Sequence, residues 1–301
     1  MREKTTKKQF IIYMIATFGI AWVIQIIASL LAQKGNVLAF QLLLALCMFA
    51  PMAGVLIARI PLKGMGFIPK LGGKIRFVFL ALWTPLVITA LGAILYFIVF
   101  PDRYDSEFAA LASTMPEDAL AQMEAAGLTV KTLAVISTIQ AITYTPFLNM
   151  FLALGEEIGW RGAMYPYLKD RFGTTLGRII GGIIWGMWHW PVMLLAGYEY
   201  GTDYPGAPFL GLFAFCLFAA VIGIIEDYYY EKTGCIWIPA LFHGAINALT
   251  IFCYLCKEEY MDQMIFGPHV IGLISGIPAL ILAIVLCILS EKNKTAKGIA
   301  R

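Results

Sequence analysis

The sequence predicts an all-α fold: a polytopic membrane helix bundle of eight transmembrane helices with both termini cytoplasmic. Three observations predict it. Of the 301 residues, 60% are hydrophobic and 14% charged, whereas a soluble domain carries about a quarter charged residues. The apolar residues come in blocks of roughly 20, enough for a helix to cross a hydrocarbon layer about 30 Å thick and too long for the alternating strands of an outer-membrane barrel. Lysine and arginine, finally, collect in alternate connections between those blocks.

The expected spans are 10–32, 37–60, 77–100, 132–154, 179–196, 208–225, 236–255 and 270–290. The first has no small-residue cleavage site behind it and reads as a retained helix. With the N-terminus inside, eighteen of the 22 Lys and Arg fall on the cytoplasmic side, among them Arg2, Lys63, Lys74, Arg161, Arg178, Lys294, Lys297 and Arg301. Only Lys34, Arg103, Lys131 and Lys257 fall outside, where the loops hold acidic residues such as Asp105, Glu199, Asp203 and Glu258. That is the positive-inside pattern, and moving the span count by one destroys it. Topology thus explains the basic residues, and nothing points to nucleic acid. The 101–131 loop is expected to carry short helices, one opened by Thr114 as cap and closed at Gly127. Residues 164–178 are expected to form an interfacial helix on the opposite side. There is no internal repeat, so residues 1–301 read as a single membrane domain with a core at about 132–256. Cys253 and Cys256, like the other four cysteines, read as small buried hydrophobes.

Within or beside these spans lie polar groups that are costly in a bilayer, about 2.5–3.5 kcal/mol for Asp, Lys or Arg on insertion scales. Glu156 and Glu157 close the fourth span. Glu157 and Arg161 are four apart and can pair on one helix face, which leaves Glu156 to face another element. His189 lies inside the fifth span and His243 inside the seventh, both in the cytoplasmic half by residue count. His243 and Asn247, again four apart, share a face and can donate towards one point, as an oxyanion requires. Each taken alone could be a helix–helix contact; two imidazoles at one depth beside a carboxylate favour chemistry. Trp185, one turn before His189, reads as a packing residue. Pro191 and Pro239 are expected to loosen the helices around the two histidines. His269, near the outer start of the last span, reads as interfacial.

Taken in order, Glu156-Glu157-x-x-x-Arg161, Trp185-x-x-x-His189 and His243-x-x-x-Asn247 resemble the CPBP family, the type II CAAX prenyl endopeptidases and bacterial relatives linked to bacteriocin processing and immunity. The family usually has Phe where this chain has Trp185. The resemblance implies an intramembrane endopeptidase in which Glu156 and His189 activate water, His243 and Asn247 stabilise the oxyanion, and Glu157 and Arg161 organise the site. The family has been described both as metal-dependent and as glutamate-type. No His-Glu-x-x-His is present, which leans towards the glutamate type; zinc, if bound, would find candidate ligands in Glu156, His189 and His243. The expected partners are the lipid bilayer and a membrane-anchored or lipidated peptide or protein substrate, cleaved near the cytoplasmic face in a cavity open to the cytoplasm. Localisation is integral to the membrane, the plasma membrane in a bacterium. The rival readings are a non-catalytic relative acting in peptide immunity or as a transporter-associated binding protein, and an ion-coupled transporter. The last would show repeated halves or discontinuous helices.

Overall fold

Thr6 opens the first helix with a capping box: its hydroxyl accepts from the Gln9 amide at 3.2 Å, and Gln9 Oε1 accepts from the Thr6 amide at 3.0 Å. Donors with no partner inside the helix are satisfied in this way. The computed structural model describes residues 4–299, with side chains as far as Lys292. Arg2 and Arg301 lie outside the described residues, as do the side chains of Lys294 and Lys297. Helix α1 runs Lys7–Ala32, followed by α2 (Val37–Cys47) and α3 (Ala50–Ile57), then α4 (Arg76–Val99). Short helices α5 (Ala109–Ala112) and α6 (Glu117–Ala125) precede α7 (Val130–Thr143) and α8 (Thr145–Gly159). A π-helical turn, Trp160–Met164, leads to α9 (Tyr165–Phe172), α10 (Thr174–Trp188) and α11 (Trp190–Ala196). Then come α12 (Phe209–Thr233), α13 (Trp237–Ala248) with a 3-10 extension to Leu255, and α14 (Ile277–Ile299). There is no strand among the described residues, only an isolated bridge between Tyr104 and Cys256.

The all-α class and the apolar spans are as expected, but the spans differ in detail. Among the described residues, six helical stretches are long and apolar enough to cross a membrane: Lys7–Ala32, Val37–Ile57, Arg76–Val99, Thr174–Ala196, Phe209–Thr233 and Trp237–Leu255. A seventh appears if α6 and α7, bent by 95°, count as one. The expected 132–154 span is instead α7 and α8, broken at Tyr144; Pro146 in the first turn of α8 has no N–H to continue the ladder. The expected 270–290 span starts helical only at Ile277, because 261–276 folds back as an irregular loop. Thr114 does not cap α6, whose N-cap is Pro116; the Thr114 hydroxyl donates to Leu111 O instead. Gly127 closes the segment as expected, with φ +72°.

Long-range hydrogen bonds sort the connections into two ends. At one end Gln9 Nε2 donates to Arg59 O (2.9 Å), Tyr230 Oη to Met65 O (3.1 Å) and Trp237 Nε1 to Phe67 O (2.9 Å). Lys4 pairs with Asp170 there, Lys169 with Asp227 and Glu231, and Arg178 binds Asp227, Glu231 and Ser290, so α9, α10, α12 and α14 are tied together. At the other end Gln33 Nε2 donates to Leu195 O (2.8 Å), the Lys257 amide to Arg103 O (2.9 Å) and the Met264 amide to Tyr200 O (3.1 Å). The first end gathers most of the lysines and arginines, and the second the acidic loops. The core between them is built around the fully buried Tyr13, Trp160, Tyr165, Ile222, Ile225 and Phe242. Two glycines set the helix spacing that the site depends on. A Cβ on Gly155 would come within 2.7 Å of Met48 O, and one on Gly244 within 2.6 Å of Met150 N. Without side chains there, α8 approaches the α2–α3 junction and α13 lies against α8.

Candidate active site

The last turn of α8 carries the two adjacent carboxylates, which point about 100° apart. Glu157 turns towards Arg161, whose Nη1 donates to Glu157 Oε1 at 2.8 Å, the pairing that their spacing predicted. The same guanidinium reaches across to α12 and bonds Glu226 Oε2. Arg161, Glu157 and Glu226 are all fully buried. A guanidinium is suited to this position because its planar fork serves two carboxylates at once. Its flat face also stacks on Trp185 and Tyr165, 4.7 Å from each ring centroid.

Glu156 faces the other way, towards α10. Its Oε2 accepts two indole hydrogen bonds, from Trp160 Nε1 at 3.0 Å and Trp185 Nε1 at 2.8 Å. Its other oxygen has no protein partner among the described residues. The two indoles come from different elements, so the carboxylate is clamped in one orientation. The π-turn that starts at Trp160 helps to bring that ring over the last turn of α8; such turns recur at functional sites.

His189 sits where the fifth span breaks: α10 ends at Trp188 and α11 starts at Trp190, with Pro191 in its first turn. The His189 Nδ1–H donates to Trp185 O at 3.1 Å. A carbonyl can only accept, so the proton sits on Nδ1 and Nε2 is left as an acceptor. The ring is wedged against Trp188 and Phe215, at 4.6 and 4.7 Å. On α13, His243 donates through Nδ1 to Glu157 Oε1 at 3.0 Å and lies 5.3 Å from the Trp185 ring. Asn247, one turn further on, is exposed.

All four sequence-predicted groups, Glu156, His189, His243 and Asn247, line one cavity of about 660 Å³. Trp185 joins two of them, donating to Glu156 and packing on His243. Glu157 and Arg161 stand behind the wall and hold His243 in place. The cavity does not run towards the basic end, as the sequence led us to expect. Its walls continue along α2 to Phe40 and Gln41, and on to Tyr198, Glu199, His269 and Ile271 at the opposite end.

Four functional neighbours were not found from the sequence. Trp185 was read as packing, yet its indole N–H holds Glu156. Trp160 carried no signal beyond its position next to the Glu-Glu motif. Glu226 was overlooked because α12 continues to Thr233, eight residues beyond the expected end; an acidic pair directly after a long apolar run was the available sign. His269 was read as interfacial but is buried, its Nε2 without a partner among the described residues, and it lines the cavity because 261–276 folds inwards.

The metal candidates change as well. Among the described residues, the group with donor atoms all within 4.8 Å of one another is Glu157, Glu226 and His243. Glu156, His189 and His243 do not form such a group. Arg161 bonds one oxygen of each of Glu157 and Glu226, and their other oxygens have no partner among the described residues. This geometry does not fit a zinc ion held by the three residues proposed from the sequence.

Comparison with known proteins covers the same stretch. Residues 138–249 match the family model described as type II CAAX prenyl endopeptidase Rce1-like. A CAAX prenyl protease 2 from Methanococcus maripaludis is 36% identical over 55 residues, covering 18% of this chain and 20% of that protein. Lysostaphin resistance protein A from Staphylococcus haemolyticus is 28% identical over 141 residues, 46% of this chain and 35% of the relative. The chain thus matches about a fifth and a third of the lengths of these two relatives. The matched family segment contains all three motifs and extends to the residues between them.

Proposed function

We propose that this chain is an intramembrane endopeptidase that hydrolyses a peptide bond of a membrane-anchored polypeptide. The observation that carries the proposal is the convergence of Glu156, His189, His243 and Asn247 on one cavity, whose volume is in the range of pockets that take a drug-sized ligand or a short peptide segment. Water bound between the free oxygen of Glu156 and Nε2 of His189 would attack the scissile carbonyl carbon, giving up a proton to Glu156. The negative charge that develops on the carbonyl oxygen would be met by His243 Nε2, when protonated, and the Asn247 amide; Glu157 holds His243 in position for this before the reaction begins. Glu156 would then pass the proton to the leaving nitrogen as the C–N bond breaks.

The test is cleavage of a fluorogenic transmembrane-anchored peptide by the purified full chain in proteoliposomes. Glu156→Gln and His189→Ala should each abolish measurable turnover, and Asn247→Ala should reduce it about a hundred- to a thousand-fold, the usual cost of an oxyanion donor. Wild-type turnover in Glu156→Gln would overturn the proposal. Activity that vanishes with a chelator and returns with zinc would replace the glutamate reading with a metal-assisted one. The similarity to a resistance protein supports a second reading, in which the cavity binds a peptide without cutting it. His243→Ala and Asn247→Ala proteins that keep a resistance phenotype would favour that reading.

A further inference from the structure

The direction of the cavity has a consequence for which side of the membrane is served. Helix α1 is a ruler along the bundle. Gly159, after the catalytic turn, packs on Tyr13, where a Cβ would fall 2.9 Å from the phenol oxygen. Gln25 Nε2 donates to Trp188 O at 2.9 Å, and Gln33 Nε2 to Leu195 O at 2.8 Å. At 1.5 Å per residue, Gln25 and Gln33 stand about 18 and 30 Å beyond Tyr13. The only α1 residue in the cavity wall is Gln25, and α2 contributes from Met48 back to Phe40, towards the turn at Lys34. Neither α3 nor the basic 58–76 connection contributes a residue. On that side the fully buried Trp160, Met65 and Tyr165 close the way. Exposed wall residues are Gln41, Asn247 and Thr250, all in the half towards the acidic end.

Positive-inside orientation puts the basic end in the cytoplasm. We infer that water and substrate reach the catalytic groups from the non-cytoplasmic side, and that the substrate is a polypeptide segment displayed in or on the outer leaflet, such as an exported, membrane-tethered peptide. Proteins carried on the cytoplasmic surface would meet the closed end of the bundle. The inference rests on the hydrolytic reading only for what the cavity does; which end it faces is independent of that reading.

The two can be tested apart. Single cysteines are introduced as Lys34→Cys, Gln41→Cys and Lys63→Cys in the full chain, and cells expressing each are treated with a membrane-impermeant maleimide. The parent chain, with its own six thiols, sets the background. Labelling of Lys34→Cys and Gln41→Cys in intact cells, with Lys63→Cys labelled only after permeabilisation, is the expected result. The inference is overturned if Gln41→Cys needs permeabilisation, or stays unlabelled on both sides while Lys34→Cys reacts from outside. In a second arm one reporter segment is displayed on either face by a membrane anchor. It should be cut on the outer face alone, and by the wild type but not by Glu156→Gln. Cutting on the cytoplasmic face alone overturns the inference. If neither display is cut while the labelling is as expected, the access route stands and the hydrolytic reading falls.

Discussion

In the proposed reaction Glu156 takes a proton from water, which requires a fixed carboxylate orientation, and two indoles fix it. Trp185 is the more informative because its ring also packs on His243 and under Arg161. Trp185→Phe keeps an aromatic ring and removes the donor. A hydrogen bond to a charged group contributes about 1.5–3 kcal/mol, so kcat should fall about ten- to a hundred-fold. KM and the thermal midpoint should change little; a fall in the midpoint with unchanged kcat would make the residue a packing element only. This partner was not legible because periodicity shows which face a tryptophan occupies but not which neighbour its N–H will find. Glu199 makes a separate case in the loop after α11, half-buried and with φ +74°. Burial pushes its carboxyl up to about 7 from 4.5, against a smaller opposing effect of the Tyr198 hydrogen bond. Between those two pH values the folded chain binds more protons than the unfolded one, so stability falls as pH rises through the window. Glu199→Gln should therefore melt at the wild-type temperature near pH 4 and above it at pH 8. The gain should be about 1–2 kcal/mol, less than the full shift implies because solvent reaches part of the side chain. Equal midpoints at pH 8 would show that the carboxyl titrates normally.

Single side chains act here only because whole helices bring them together, and the network around Arg161 is where α8, α12 and α13 are joined. Glu157 and Arg161 share one helix, and their spacing of four made the pairing readable from the sequence. Glu226 is 65 positions away from Arg161, and no local rule connects the two. Removing one member of a buried ion network leaves uncompensated charge and typically costs about 3–5 kcal/mol. Arg161→Met should show a loss of that order in the thermal or denaturant midpoint of the detergent-solubilised protein. Arg161→Lys should recover only part of it, since an ammonium cannot serve both carboxylates in the same fork. Combining Arg161→Met with Glu226→Gln should restore more stability than the sum of the single changes allows, because the two sites are directly coupled. Strict additivity would mean that Glu226 is stabilised by something other than the guanidinium. The break at His189 belongs to the same scale. Pro191 marked it in the sequence, whereas the break at Tyr144 was missed because apolar composition runs straight through Pro146.

At the scale of the molecule, the number of crossings is a question of which end of the bundle holds residues 4 and 291. Hydropathy counted eight, while length and composition of the folded helices give six or seven. The discrepancy is confined to α7–α8, broken into two pieces, and to α14, of which only 277–292 has described side chains. Hydrogen bonds decide the parity more directly than helix length does. Lys4 pairs with Asp170 on α9. Near the far end of the sequence, Ser290 accepts from Arg178, and Glu291 accepts from Thr175 at 2.9 Å. Lys4 and Glu291 therefore both meet the α9–α10 region, and two residues at one end of the bundle are joined by an even number of crossings. With α7–α8 taken as one crossing and α14 as another, added to the six long stretches, we propose eight crossings. Epitope tags added at the N- and C-termini should then be protected together in intact cells and exposed together on permeabilisation, because the lysine-rich end is held inside. Tags on opposite sides would require an odd count, remove α7–α8 or α14 from the set of crossings, and take with it the assignment of the cavity to the outer face.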